Sequence, residues 1–205
     1  MLQGFFEFLK FLKYNTHPSR MELKSRNVNM FGSKKAFGLF KDLKFRELVH
    51  FSEIGEEEQN RIFNELVVTN LIMAILLLDQ LARVTDDPDK KEYFKSLKEF
   101  LLKYFVEYLA KLGIAGEYTD IWNKLIDLKH DEYIQEMSEF RSEFLNSNDE
   151  KISELALERN VLIFQALAFG LYRHIVRGKV EKDNPLYKNI QLYLVGVHKG
   201  ILKRI

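Results

Sequence analysis

LVVTNLIMAILLL, running from Leu66 to Leu78, is the most apolar stretch of this 205-residue chain. Apolar residues continue out of it at helical spacing: Ile62, Phe63, Leu66, Val67, Leu71, Ala74, Leu78, Leu81 and Ala82 follow an i, i+3, i+4 rhythm. Inside the stretch the opposite face is apolar as well, with Val68, Ile72, Met73, Ile75, Leu76 and Leu77. A helix that is apolar all round is surrounded by protein or by lipid. Crossing the hydrocarbon takes about 20 consecutive apolar residues. This run is shorter, carries Thr69 and Asn70, and lies between Glu65 and Asp79, so the reading is a central buried helix. Glu56-Glu57-Glu58 suits the positive end of its dipole, Ser52 or Gly55 supplies a cap, and Asp86-Asp87-Pro88 stops it.

Working outward, the same rhythm predicts further helices. Tyr93, Phe94, Leu97, Leu101, Tyr104, Phe105 and Tyr108 stripe a helix over about 89–112, closed by Gly113. Ile121, Trp122, Leu125, Leu128, Tyr133, Met137, Phe140 and Phe144 stripe one over about 117–145. A fourth is expected over about 150–177, with a second deeply apolar segment from Val161 to Leu171 in which Gly170 permits close contact. Short connections make neighbours antiparallel. The expected fold is all-α: an up-down-up-down bundle of four long helices over 51–178, with basic N- and C-terminal segments, 1–50 and 179–205, packed around it in a single domain of residues 1–205. Asn15 to Ser33 reads as a loop or extended arm because of Pro18, Asn27, Asn29, Gly32 and Ser33. Lys34 to Phe51 reads as one or two short helices. Asn184-Pro185 opens a last helix striped by Leu186, Ile190, Leu194, Val197 and Ile201, with Lys188, Lys199, Lys203 and Arg204 on its other face.

The net charge of +1 conceals a pattern. Residues 1–50 hold ten Lys/Arg against four Asp/Glu, residues 51–160 thirteen against twenty-four, and residues 161–205 eight against two. Basic ends flank an acidic middle. Such asymmetry fits an anionic partner, and equally fits ends that pack on the middle or on another copy. Met1 to Tyr14 places Phe5, Phe6, Phe8 and Phe11 beside Lys10 and Lys13, an expected interaction surface. The segment suits a core cover, a dimer interface or a membrane interface; its polar edge is narrow and weakly basic, which favours the first two. It lacks the basic region and cleavage site of a secretory signal.

Cysteine is absent, which excludes a disulfide framework and a thiolate site. No P-loop, Gly-x-Gly-x-x-Gly or His-Glu-x-x-His occurs. The nearest approach to a carboxylate metal site is Glu65, Asp127, His130 and Glu158. Asp127-Leu128-Lys129-His130 has Asp where the di-metal bundle motif has Glu, and the order along the chain is wrong. The plainer reading of Asp127 and His130 is a solvated helix face among Lys129, Asp131 and Glu132. His174 and His198, on apolar faces, are weak haem candidates. A Glu65–Arg159 bridge is a further structural expectation. No cofactor is expected. The function expected is a non-enzymatic, cytoplasmic bundle acting by binding or self-association as a homo-oligomer. The alternatives are a peripheral binder of anionic membrane or nucleic acid through the basic ends, and a bundle metalloprotein or enzyme.

Overall fold

The computed structural model describes residues 17–111, 117–178, 181 and 183–205. The chain is all-α: among the described residues, helices and short 3-10 turns alternate with brief connections and no strand. The helices are α1 (Pro18–Lys41), α2 (Leu43–Leu48), α3 (Glu56–Val84), α4 (Pro88–Lys111), α5 (Glu117–Leu145), α6 (Glu150–Glu154), α7 (Arg159–Val176) and α8 (Pro185–Leu202).

α3 is the expected central helix. Gly55 caps it, Glu56, Glu57 and Glu58 occupy its first turn, and every residue from Val68 to Leu78 is buried. It is long and apolar enough to cross a membrane, and 72% of its most apolar window is covered by the rest of the protein. α1, α4, α5, α7 and α8 all pack on it. Pro88 stops α3 and starts α4, where its fixed φ and missing N–H suit a first position; the Asp87 carboxylate accepts the next free N–H groups, from Asp89 and Lys90. α8 begins as expected, with the Asn184 side chain accepting from Leu186 N at 2.9 Å. Its whole expected stripe, Leu186, Ile190, Leu194, Val197 and Ile201, is buried.

Two expectations fail. Of the stretch 15–33, residues 15 and 16 lie outside the described residues and the rest is not a loop: from Pro18 onward it forms the first two thirds of α1, with Pro18 in the first turn. The buried face of α1 is Met21, Ser25, Val28, Gly32 and Ala36, spaced by four and three residues. The periodicity is helical but its members are small, so it carries little apolar signal. Gly32 is small because α3 passes over it: a Cβ there would sit 3.4 Å from Asn70 Cβ. α1 is thereby part of the core and not an arm around it. The expected fourth helix is also interrupted. α6 and a 3-10 turn at Leu155–Leu157 precede Glu158, whose ψ of 87° leaves the helical region, and α7 departs at 93°. Glu158-Arg159-Asn160 breaks the apolar stripe there, and Ala156 is buried beneath the bend while Leu157 is 74% exposed.

The α5–α7 contact is as close as Gly170 suggested. A Cβ on Gly170 would lie 2.5 Å from Tyr133 Cε1 and 2.8 Å from Glu136 Oε2. Gly170→Ala is expected to destabilise the fold by about 1–3 kcal/mol through overpacking, despite the roughly 0.5–1 kcal/mol that alanine gains over glycine within a helix. Urea denaturation of the variant beside the wild type measures this.

Candidate functional site

Two polar regions stand out, one inside the bundle and one on its surface. The buried face of α5 is Ile126, Lys129, Tyr133, Glu136, Met137 and Phe140, so two charges lie on the core stripe. Lys129 is therefore not on a solvated face. Its Nζ lies 3.2 Å from Glu65 of α3 and 3.6 Å from Glu132. Glu132 Oε2 is 3.0 Å from His174 Nε2 of α7, and Arg173 reaches both Glu132 and, at 2.8 Å, Glu136. Beside this cluster the Thr69 hydroxyl and the Tyr133 phenol are 2.9 Å apart. Arg61 anchors the cluster to the end of α7, pairing with Glu58 and donating to the carbonyls of His174 and Ile175.

Burial pushes the Glu136 carboxyl up to about 7, an effect that Arg173 only partly offsets. Burial, aided by Lys129, lowers the His174 imidazole. Glu132 is raised by burial but held below the ordinary carboxylate range by His174, Lys129 and Arg173 together. The arrangement balances charge between helices, as unpaired buried charge would be costly. Above it, an open cleft of about 440 Å³ is lined by Glu57, Asn60, Asn64, Glu65, Leu125 and Lys129.

The residues singled out in the sequence do not converge. Glu65 pairs with Lys129 and not with Arg159. Arg159 stands at the other end of α3, where burial and Arg83 lower its pKa. His130 faces Asp79 at 3.9 Å, and hydrogen bonding to Asp79 raises it. Asp127 is exposed on α5, and Glu158 is exposed at the start of α7. Among the described residues no group of three or more His, Asp or Glu is arranged to hold a metal. His174 belongs to the charged cluster, and His198 packs 4.9 Å from the Phe164 ring. Asn70 bonds two neighbouring helices: its Nδ2 donates to Gly32 O of α1 at 2.9 Å and to the Tyr193 hydroxyl of α8. Phe5, Phe6, Phe8, Lys10, Phe11 and Lys13 lie outside the described residues.

The surface region is where the two basic ends meet. α1 and α8 lie side by side and antiparallel: Tyr193 is at the Gly32–Asn70 contact, Gly200 opposes Phe31, and Lys24 donates to Ile205 O at 2.7 Å. No carboxylate occurs in α1 after Glu22 or anywhere in α8. The Arg204 guanidinium lies 3.9 Å from the Phe31 ring centre, and Lys35 lies 5.8 Å from the same ring. Lys34, Lys203 and Arg204, with Asn27, Met30 and Phe31, line an open cleft of about 500 Å³ between the helices. Among the described residues Lys34, Lys35, Lys199, Lys203 and Arg204 have no carboxylate partner. Exposed apolar side chains occur on the same two helices: Phe37 at 52%, Leu192 at 76% and Leu202 at 44%.

Comparison with protein-family models, with curated proteins and with solved structures gives no match.

The buried cluster makes stability depend on pH. Glu136 is raised from 4.5 to about 7 in the fold, so its contribution is fully present below 4.5 and lost as pH rises through 7. His174 is lowered from 6.5, so its contribution is present above 6.5 and lost as pH falls. Glu136→Gln is expected to raise the melting temperature relative to the wild type above pH 7 and to lose that advantage below pH 4.5. Arg173 keeps Glu132 as its partner in the variant. Thermal melts across that range check the sign.

Proposed function

We propose that this chain acts by binding, without catalysis, and that it docks peripherally on an anionic lipid surface through the α1–α8 face. The single observation that carries the reading is the antiparallel packing of α1 on α8, which gathers basic residues of two distant parts of the chain, Lys34, Lys35, Lys199, Lys203 and Arg204, into one surface on which none of the five has a carboxylate partner among the described residues. Cations without partners near an anionic membrane gain about 1 kcal/mol each. The exposed Phe37, Leu192 and Leu202 on the same helices would add apolar contact at the headgroup boundary, which is how interfacial helices bind. These side chains are largely aliphatic, and α8 projects no exposed aromatic ring. Sequence-tolerant binding of single-stranded nucleic acid uses stacked aromatic platforms, so lipid is favoured over nucleic acid. The mixed pairing of Lys129, Glu65, Glu132 and His174 supports a structural role for the buried cluster, since its charges are matched within the fold.

The reading predicts sedimentation with vesicles that contain phosphatidylserine and not with phosphatidylcholine alone, weakening with added salt. Neutralising Lys34, Lys199 and Lys203 together (Lys→Gln) is expected to lower vesicle affinity by about a hundredfold, at about 1 kcal/mol per residue. The melting temperature should be unchanged, because all three side chains are exposed. Equal binding by wild type and variant, or binding indifferent to salt, overturns the reading. Salt-dependent binding to RNA or DNA with none to vesicles assigns the face to nucleic acid instead.

A further inference from the structure

The basic cleft does not end at α1. Asn27 and Met30, which form one of its walls, also line a second cleft on the far side of the same helix. That second cleft, of about 390 Å³ between α1 and α4, exposes mainly the apolar surface of Leu23, Met30, Tyr104 and Tyr108, with Arg26 and Glu107 also in its lining. Three of these stand open to solvent, Leu23 at 60%, Met30 at 48% and Tyr108 at 44%. A cationic basin thus lies next to an apolar groove, the two separated only by the outer ridge of α1, where Leu23, Asn27, Met30 and Lys34 recur at helical spacing.

We propose that the two clefts together form a binding site for a single anionic amphiphile, with a phosphate-bearing head between Lys34, Lys203 and Arg204 and an apolar chain laid across Met30 into the groove of Leu23, Tyr104 and Tyr108. The occupant follows from charge and continuity. Lys34, Lys203 and Arg204 supply charge-assisted donors to phosphate oxygens. Asn27, at the junction, offers a carboxamide with no partner among the described residues to the ester region that links head to chain. A small free anion would leave the adjoining groove unused; an uncharged chain would leave the cations unmatched. The inference rests on the α1–α8 face being a lipid-contact surface, and it adds that one lipid is held individually and not merely met as part of a charged plane.

The experiment is calorimetric titration of the full chain with a short-chain phosphatidic acid kept below its micelle concentration, beside inorganic phosphate and an uncharged alkyl glucoside. One-to-one saturable binding is expected for the phosphatidic acid, with each of the other two weaker by about tenfold or more. Lys203→Gln with Arg204→Gln is expected to reduce affinity for the phosphatidic acid by about tenfold or more, and Leu23→Glu by a similar factor, since it replaces an apolar wall of the groove with a second carboxylate beside that of Glu107. All three positions are exposed, so circular dichroism should be unchanged. The Met30 methyl resonance should move with the lipid and not with phosphate. Phosphate binding as tightly as the lipid, no saturable lipid binding, or variants that bind like the wild type would each overturn the inference. Salt-dependent vesicle binding without binding of the monomeric lipid removes this site and leaves the peripheral reading standing. Monomeric binding without vesicle binding does the reverse.

Discussion

Everything in this fold answers to the need to cover α3. A helix apolar on one side needs one neighbour, but α3 is buried on all sides from Val68 to Leu78, so it must be enclosed. α1, α4, α5, α7 and α8 each supply one wall. Enclosure on that scale would leave relative rotation loosely set if every contact were aliphatic. Polar side chains at particular heights fix it. Asn70 ties α3 to α1 and α8, Thr69 one residue earlier meets Tyr133 of α5, and Glu65 one turn further back meets Lys129. The polar residues that interrupt the apolar run are thus the ones that set its neighbours' positions.

The same enclosure places the charges. α1 and α8 cover adjoining sides of α3, which makes the two basic ends neighbours. The acidic middle of the chain supplies α3 and α5, whose carboxylates pair with bases of α4 and α7, as Asp79 does with Lys98 at 2.8 Å and Glu132 with His174 at 3.0 Å. Charge separation along the sequence becomes charge separation across the molecule, and that separation is what an extended anionic surface would read.

How much was legible follows residue by residue. α3 and α8 were readable because their buried positions are large and apolar at an unbroken spacing. α1 was not, because Ser25, Gly32 and Ala36 pack by being small, and Gly32 and the two asparagines resemble turn signals in the absence of a partner helix. On α5 the apolar pattern runs through Ile121 and Leu128, which are 58% and 68% exposed, whereas Lys129 and Glu136 are buried. Hydrophobicity alone misplaces that face, since those charges are tolerated only because Glu65 and Arg173 arrive from other helices. The basic surface was half visible: both ends read as cationic, but their adjacency is tertiary. The break before α7 had one trace, the polar Glu158-Arg159-Asn160, with no glycine or proline to mark it.

That break sets unequal resistance to opening along the chain. α6 has no buried side chain; it is held by the Asp149 cap on Lys151 N at 2.9 Å and, through the following turn, by Ala156. Amides of α6 have little apolar burial to lose, so residues 150–154 are expected to open at small free-energy cost while the enclosed amides of α3 open only with the whole protein. Hydrogen exchange would then divide the molecule unevenly, with a fast elbow attached to a slow body. A protease that needs an extended strand would find its first opportunity at that elbow and not in the helices around it.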